Sequence, residues 1–509
     1  MLEYKIKRYR GGRVVLKSAL TLLLSFVGLL PVIAQPAPVH FATGFRVGEV
    51  TQNSAIVWTR LTAEPEPNWD GIVPSPKDSP TRVIVEEPDI PVSAWEGAVP
   101  GTPGDLRLLF SKDANLADAT TLDWTPVVAE GDFINQFHLS GLEPATRYYL
   151  RAEGRPSEEG PVTQTPVGSF NTPAQPDEWQ NLWFTVITGQ MYYHRDRKDG
   201  FEIYPSMFNA QPEPPTFIVP TGDTVYYDRD NPRGTTVDLC RLHWHRIYSL
   251  PLIKDFHQVV PGYWEKDDHD TFFDDCYRGL EAPWIEPLTY DQGVQVFLEQ
   301  NPVPEKPYRT IRWGKGLQIW LPEVRDFRSP NNAPDGPEKT IWGKEQKEWL
   351  MSSILESDAS FKVLVSPTAI VGPDNEDQED NHSNPAFFHE GNEFRMWTME
   401  QGLSNLYICC GDRHWQYMST HPQSGLREFS CGPASDVHAF RGPGFEPKFH
   451  SFYRSGGGFL SVSVTSGERK VLARPQRIVF EETVPTINFR FHDVQGKVLY
   501  EYRDSALVH

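Results

Sequence analysis

Hydrophobic and polar positions alternate with a two-residue period in the first part of the chain, between residues 40 and 172. The alternation is clear along residues 54–59 and again at 136–139. The second stretch leads through a turn containing Gly and Pro into an aromatic run at 146–151. A period of two, interrupted by turn residues, indicates half-buried strands. We therefore predict an all-β domain over residues 40–172, with these aromatic side chains in its core.

The pattern changes after a Pro-containing linker at 172–178. Residues 182–187 and 216–220 form largely apolar runs, which are typical of strands buried on both faces. Further elements follow: an amphipathic helix at 340–357 and strands at 361–365 and 406–410. Strands that alternate with helices predict an α/β domain from about residue 180 to 475. The tail alternates again, which predicts a C-terminal β-strand extension over residues 476–509.

The first 34 residues differ from the rest of the chain. A basic start precedes a short apolar run at 19–30, and small residues end the segment at Ala34. This order predicts a Sec-type signal peptide over residues 1–34, cleaved after Ala34, and export to the periplasm or the extracellular space. An uncleaved anchor is the alternative. No transmembrane segment is expected after cleavage, because no later apolar run is long enough.

Composition narrows the possible partners. The chain has 509 residues, enough for two or three domains, and a formal net charge of −20. Such a charge argues against nucleic acid as the main partner, although a bound metal can reverse the sign locally and admit a phosphate. The five cysteines leave at least one unpaired. Cys409 and Cys410 lie in an apolar run, which predicts buried small hydrophobic residues.

Three segments place Asp and His after apolar runs. They read Gly-Asp-x-x-Tyr at 222–226, Asp-Asp-His-Asp at 267–270 and Gly-Asp-x-His-Trp at 411–415. In α/β sheets, sites form at the carboxyl ends of strands. Asp and His without thiolates suit hard to borderline divalent or ferric ions, and carboxylates this close repel unless cations neutralise them. Each segment alone fits a turn or loop, but the three together predict a metal centre.

The order of these motifs resembles the alkaline phosphatase D family of metallophosphatases, within the calcineurin-like metallophosphoesterase superfamily. The resemblance covers about residues 40–475. It implies a four-layer αββα domain, in which two sheets pack between helices, and a fibronectin III-like N-terminal sandwich. The strand, turn and aromatic strand at 136–151 also resemble the late strands of a fibronectin III sandwich. The expected fold is therefore multidomain, an all-β sandwich followed by an α/β metallophosphoesterase domain.

The resemblance also implies roles for individual residues. The metal ligands implied are Asp223, Tyr226, Asp268, Asp412 and His414. Asp223 is expected to bridge two ions, and Tyr226 to bind a ferric ion as a phenolate. His269 falls where the superfamily keeps an acid or a transition-state-stabilising histidine. The expected cofactors are two or more metal ions, with iron and calcium favoured over manganese and zinc.

The chain departs from the family pattern just after the first core strand. The family usually has a Cys there, and the wider superfamily an Asp, whereas this chain has Gly189 and Gln190. Gly189 has no side chain that could bind a metal, and Gln190 offers only a neutral oxygen. Lys266 stands where the family commonly has Trp. These changes indicate a divergent member and leave the number and identity of the metals open.

Other residues are candidates for contact with a substrate. The predicted contacts are Gln190, His194, Arg195, Asp267 and His382. Residues 194–195 fit a surface loop equally well, and the position of His382 also resembles that of a further metal-binding histidine. Arg413 is a second catalytic candidate beside His269, because a guanidinium binds phosphate in bidentate fashion. Its alternative is an ion pair with Asp267 or Asp436.

Two further segments complete the candidates. Arg325 and Arg328 follow a predicted strand among acidic residues, which favours structural ion pairing. Residues 436–438 are a possible wall of the site.

Taken together, the motifs predict an exported, metal-dependent phosphoester hydrolase that acts on a small or polymeric substrate. A metal-activated water attacks phosphorus in line in such a mechanism. Two alternatives stay open. The missing ligand at Gly189 favours a non-catalytic extracellular metal-binding protein, and the same cluster also fits another ester such as a sulfate.

Overall fold

The computed structural model describes residues 37–73, 90–375, 378–467, 469–474, 477–482 and 484–506. The predicted signal peptide at 1–34 lies outside these ranges. Within the described part of the chain, no helix is long and apolar enough to cross a membrane.

Antiparallel strands build the N-terminal part of the chain. They are β1 (Phe45–Gly48), β2 (Ser54–Arg60), β3 (Gly104–Ser111), β4 (Thr120–Thr121), β5 (Thr125–Val127), β6 (Ile134–Ser140), β7 (Arg147–Arg155), β8 (Thr163–Gln164) and β9 (Gly168–Asn171). One sheet has the order β1-β2-β6, and the other has the order β4-β3-β7-β8, with β5 beside β3 and β9 beside β7. Apolar side chains from both sheets share one core. The predicted all-β character of this region is confirmed.

The turn before β7 is held by a tyrosine. The Tyr148 hydroxyl accepts a hydrogen bond of 2.9 Å from the backbone N–H of Glu143, and the Tyr148 ring stacks on Phe170 of β9. A buried tyrosine that bonds to backbone a few residues upstream fixes the corner between two sheets. These aromatic residues belong to the core, as the alternation predicts.

Two further sheets, of five and seven strands, lie in the rest of the chain. Their strands are β10 (Leu182–Ile187), β11 (Phe217–Pro220), β12 (Arg309–Trp313), β13 (Leu317–Leu321), β14 (Phe361–Ser366), β15 (Leu406–Cys410), β16 (Gln416–Thr420), β17 (Arg427–Cys431), β18 (His450–Arg454), β19 (Gly458–Thr465), β22 (Thr486–Asp493) and β23 (Val498–Ser505), and a separate hairpin contains β20 (Arg469–Arg474) and β21 (Arg477–Glu482). The strand orders are β11-β10-β19-β22-β23 and β12-β13-β14-β15-β17-β16-β18. The C-terminal strands β22 and β23 therefore complete the sheet that contains β10.

A core lies between these two sheets. Phe429 of β17 stacks on Phe489 of β22, with ring centroids 4.0 Å apart. Cys409 faces this core, whereas Cys410 points to the other face of the sheet, towards Tyr417. Burial of a phenylalanine such as Phe429 or Phe489 contributes about 1.5–3 kcal/mol relative to exposure. All five cysteines of the chain are free and buried, which confirms the prediction for Cys409 and Cys410.

Helices cover the outer faces of both sheets. They are α1 (Ile203–Asn209), α2 (Val237–Tyr248), α3 (Pro251–His257), α4 (Tyr290–Gln300), α5 (Lys344–Glu356) and α6 (Phe388–Glu400). Apolar residues of α1 to α4 pack with Ile187 of β10 and Ile218 of β11. Residues of α5 and α6 pack with Leu364 of β14 and Ile408 of β15. Helices on both outer faces, together with the parallel strands β13, β14, β15 and β17 at the centre of the larger sheet and the parallel pair β10-β11, confirm the predicted α/β character.

Candidate active site

The segment after β15 meets the segment after β11 because Gly411 has no side chain. A Cβ atom on Gly411 would lie 2.1 Å from the Oγ1 atom of Thr221. Asp223 and Asp412 follow directly, and both have left-handed backbones, with φ of 54° and 58°. Such a conformation costs about 1–3 kcal/mol outside glycine and clusters at functional sites. The two strained residues are both predicted metal ligands.

Asp223, Tyr226 and His414 form a buried group at this junction. The Tyr226 hydroxyl donates to Oδ2 of Asp223 at 3.0 Å and lies 3.5 Å from Nε2 of His414. The Oδ1 atom of Asp223 is buried and has no hydrogen-bond partner among the described residues. Burial raises the pKa of Asp223 well above its usual value and lowers that of His414, so in the absence of a cation both side chains favour their uncharged forms. A neutral imidazole beside a buried carboxylate oxygen without a partner fits a cation.

Carboxylates and one histidine form overlapping groups in which the ligand atoms lie within 4.8 Å of one another. In the described part of the chain these groups are Asp223 with Asp268 and His269, Asp223 with Asp267 and Asp412, and Asp268 with Asp274 and Asp275. Asp223 and Asp268 each belong to two groups. The structure thus brings the three sequence motifs together, and it places Asp267, a predicted substrate contact, among the predicted metal ligands.

His269 is held between acidic side chains. Its Nδ1 atom lies 2.7 Å from Oδ1 of Asp228, its Nε2 atom lies 3.4 Å from Oδ1 of Asp274, and its ring packs on Tyr226. Burial lowers the pKa of His269, but the surrounding carboxylates, Asp228 first, outweigh it and raise the pKa well above the ordinary value. The structure therefore favours a protonated imidazole here, which suits donation of a proton better than metal binding.

A buried arginine neutralises part of this negative charge. The Arg325 guanidinium lies 2.6 Å from Asp267, and its other end lies 3.3 Å from Asp380 and 3.7 Å from Asp268. Burial alone would raise the pKa of Asp268, but the charges of Arg325 and His269 hold this pKa well below its usual range. The structural ion pairing predicted for Arg325 is confirmed. The Oδ2 atom of Asp267 nevertheless has no partner within the described ranges.

Arg413 is also buried, and its guanidinium faces protein carboxylates. It contacts Asp374 and Asp412 and lies 3.6 Å from Asp380. These partners are neither Asp267 nor Asp436, the two that the sequence offers as alternatives. With its charge directed at three carboxylates, Arg413 is positioned to orient Asp412.

Arg229 also lies near the cluster, although the sequence motifs did not identify it as a candidate. Its side chain is 43% exposed, and its Nη2 atom lies 2.5 Å from the half-exposed Asp274. Its signal in the sequence is the position only six residues after Asp223. Phe440 was missed as well: it is exposed, and its ring centroid lies 4.4 Å from that of His414. The Arg229 guanidinium and the Phe440 ring therefore lie at the solvent-exposed side of the cluster.

The segment after β10 contributes mainly backbone atoms to the site. The backbone N–H of Gln190 donates to the carbonyl of Asp223 at 2.7 Å, and its side-chain oxygen accepts from Tyr204 at 2.5 Å. His438, in a short 3-10 helix over Asp436–His438, packs on both His194 and His414, with ring centroids 4.9 and 4.2 Å away. Residues 436–438 thus form a wall of the site, as the sequence suggests. Among the described residues, His194 approaches the cluster by way of His438.

Two predicted contacts are paired with carboxylates away from the Asp223 cluster. Arg195 pairs with Glu96 at 2.9 Å and packs on the Tyr192 ring. His382 is fully buried, lies 2.9 Å from the Glu390 carboxylate and packs on Trp342. The structure does not bring either side chain into the Asp223 cluster. The sequence shows that a residue is polar, but it does not show which distant residue pairs with it in the fold.

The fold and the acidic groups are those of a metallophosphatase. More particularly, the chain belongs to the PhoD-like phosphatase family: residues 184–446 match the model of the PhoD-like phosphatase, and residues 29–174 match the model of its N-terminal domain. This bears out the resemblance seen in the three motifs.

Comparison with individual proteins agrees with this family. Alkaline phosphatase D of Bacillus subtilis (strain 168) is 24% identical over 379 residues, which span 66% of this chain and 58% of that protein. The solved structure of PhoD superimposes with a TM-score of 0.64 at 16% identity and covers 94% of both chains. The purple acid phosphatase PPD1 from yellow lupin (Lupinus luteus) seeds gives a TM-score of 0.55 at 10% identity, over 91% of this chain and 74% of that one. At these identities the two structures show a shared fold.

Proposed function

We propose that this chain is an exported, metal-dependent hydrolase of phosphomonoesters or phosphodiesters, whose substrate is small or polymeric. The observation that carries the proposal is the position of Asp223, whose carboxylate lies within 4.8 Å of Asp268 in one group of potential ligands and of Asp267 and Asp412 in another. A carboxylate shared by two cation positions is what an in-line displacement assisted by two metal ions requires. The similarity to alkaline phosphatase D and to a purple acid phosphatase supports it.

The donor atoms fit metal ions of two kinds. The residues that would hold them are Asp223, Tyr226, Asp268, Asp412 and His414. The phenol of Tyr226 and the imidazole of His414 favour iron, with zinc as an alternative. The oxygens of Asp268, Asp274 and Asp275 favour calcium, with manganese as an alternative. When bound, such ions lower the pKa of water and offset charge on the phosphate oxygens.

The protein's own groups supply the remaining chemistry. The protonated His269, held by Asp228, donates a proton to the leaving oxygen, so that this oxygen departs as a neutral hydroxyl. Arg229 binds an oxygen of the phosphate, because a half-exposed guanidinium can exchange Asp274 for a substrate anion. Arg413, predicted as catalytic, acts by orienting Asp412.

Three structural expectations belong to the same proposal. The helices on both outer faces of the two large sheets support the four-layer αββα arrangement. The Tyr148 corner supports a fibronectin III-like N-terminal sandwich. Export by the signal peptide at 1–34 is tested by expressing the full chain and sequencing the exported product, which is expected to begin at Gln35. An exported product that keeps its first residues contradicts cleavage.

The central test is hydrolysis after reconstitution with iron and calcium. Nitrophenyl phosphate, bis-nitrophenyl phosphate and nitrophenyl sulfate are compared with the wild-type protein and with Asp223→Ala and His414→Ala. We expect phosphoester turnover by the wild type and a loss of at least about 100-fold in both variants, the usual scale for the loss of an electrostatic catalytic group. Full activity in both variants rejects the proposed site.

The same panel separates the alternatives. The absence of a side-chain ligand at Gly189 favours a metal-binding protein without catalysis. Bound metal without turnover of any ester supports that alternative, and turnover of the sulfate alone supports a sulfate esterase.

A further inference from the structure

A short segment with exposed apolar residues lies beside the acidic cluster. Val437, Phe440 and Phe445 all leave a large part of their side chains exposed, in a stretch that begins at the 3-10 helix over Asp436–His438. Single apolar residues at a surface need no explanation, whereas a group of them marks a place where an apolar partner binds. The chemistry of that partner depends on which of these side chains faces the site.

Phe440 is the side chain of this segment that packs on a proposed metal ligand. Its ring centroid lies 4.4 Å from that of His414 and 6.2 Å from that of His438, and the residue is 49% exposed. Phe445, by contrast, packs on His450 of β18, with ring centroids 5.8 Å apart. Phe440 therefore offers an open apolar surface to a molecule that enters the site, and Phe445 does so elsewhere on the segment.

The backbone around Phe440 is held against the protein. The Phe440 N–H donates to the carbonyl of His414 at 2.9 Å. The next carbonyl, that of Arg441, accepts from the Tyr453 hydroxyl, which in turn accepts from the N–H of Gly444 at 3.1 Å. The ring is therefore presented at a defined place beside His414, and less conformational freedom is lost when a ligand packs on it.

A phosphoester presents two surfaces of different chemistry to such a site. Its anionic phosphate suits the exposed guanidinium of Arg229, and its organic group lies just beyond the phosphate oxygens. A phenyl ring is stabilised by packing on an apolar or aromatic group. A group rich in hydroxyls gains little there, because its bound water would have to be removed without a replacement hydrogen bond. Arg229 and Phe440 together suit an anion that carries an apolar organic group.

We propose that Phe440 is a specificity-determining residue, which packs on the organic group of the phosphoester and favours esters in which this group is aromatic or otherwise apolar. The inference rests on the proposed function and narrows its class of substrate. Phe440 contacts the part of the substrate that differs from one ester to another, whereas the phosphate that all esters share is bound by the rest of the site.

The binding of two phosphonates tests this assignment without any turnover. Methylphosphonate and phenylphosphonate carry the same anionic group, differ in the organic group, and contain no ester bond that the protein could hydrolyse. Their affinities for the protein loaded with iron and calcium are measured by calorimetry. We expect the wild type to bind phenylphosphonate about 3- to 10-fold more tightly, which corresponds to one favourable aromatic pair. In Phe440→Ala this ratio should fall below about two, because the pair is lost.

Two further variants serve as controls. Phe440→Leu keeps an apolar side chain but not the ring, so its ratio should lie between those of Phe440→Ala and the wild type. Phe445→Ala removes a similarly exposed phenylalanine from the same segment, where it packs on His450, and should keep the wild-type ratio. An unchanged ratio in Phe440→Ala overturns the proposal. An equal loss of affinity for both phosphonates overturns it too, because Phe440 then only supports His414.

The proposed function fails separately from this inference. If the wild type shows the expected ratio but hydrolyses no phosphoester, hydrolysis is rejected and the preference for an apolar group stands. If it hydrolyses nitrophenyl phosphate but binds the two phosphonates equally, hydrolysis stands and the role of Phe440 is rejected.

Discussion

Replacing Arg229 is the sharpest test of how the substrate is held. Arg325 and Arg413 are buried and directed at carboxylates, whereas Arg229 is 43% exposed and pairs with the half-exposed Asp274. We expect Arg229→Gln to lose a charge-assisted contact to phosphate and to leave metal binding unchanged. Arg229→Lys should fall between Gln and wild type, because lysine keeps the charge but not the planar fork.

The size of the effect follows from the exposure of the side chain. A hydrogen bond to a charged group contributes about 1.5–3 kcal/mol, and partial exposure places Arg229 in the lower half of this range. The expected loss in kcat/KM is therefore about 10- to 40-fold, since about 1.4 kcal/mol corresponds to a factor of ten. Part of this loss comes from Asp274, whose charge then faces the phosphate without a partner.

The assay is steady-state hydrolysis of nitrophenyl phosphate by the metal-loaded protein, together with inhibition by inorganic phosphate. The loss should shrink as ionic strength rises, because salt screens an exposed charge. Arg278→Gln is the control, since Arg278 is similarly exposed and pairs with Asp291 and Asp326. A kcat/KM within twofold of wild type in Arg229→Gln, at normal metal content, refutes the assignment.

Three other changes probe the site. Arg325→Met leaves buried carboxylates without their partner and should lower the free energy of unfolding by about 3–5 kcal/mol in a urea titration; an unchanged midpoint contradicts its role. His269→Asn should lower kcat about 100-fold, and by more for a phenyl than for a nitrophenyl ester, because a poorer leaving oxygen depends more on the proton. Equal losses for both esters argue against proton donation. Chelation should lower the stability by about 3 kcal/mol when free metal would be about 100-fold above its Kd, and adding metal back should restore the melting temperature. A melting temperature that does not respond to chelator speaks against metal binding by the unpaired Oδ1 atom of Asp223.

The strands of the α/β domain could be predicted because their patterns admit few alternatives. The apolar runs at 182–187 and 406–410 coincide with β10 (Leu182–Ile187) and β15 (Leu406–Cys410). The helix predicted at 340–357 is observed as α5, but it begins only at Lys344. Gly343 has a φ of 70°, which lies outside the helical region and ends the preceding loop. Periodicity reports the amphipathic stretch, whereas the boundary depends on the backbone of a single residue.

The convergence of the motifs was predictable, but the partners of individual side chains were not. Asp223 and Asp412 each follow the carboxyl end of a strand, which is where sites form in α/β folds, although β11 and β15 belong to different sheets. The partners of Arg413 could not be predicted from the strand order. Asp374 and Asp380 lie in the loop between β14 and α6, and only the folded chain brings that loop against the end of β15. A sequence pattern carries no signal for such a contact.

The arginines beneath the cluster also bear on the order of events in the maturation of this protein. Arg325 and Arg413 hold Asp267, Asp268 and Asp412 by protein contacts alone. Two of the five proposed ligands, Asp268 and Asp412, are therefore positioned by the protein itself, which lowers the electrostatic cost of folding before an ion is bound. Loading can then be the final step, governed by which ions are abundant where the folded chain resides.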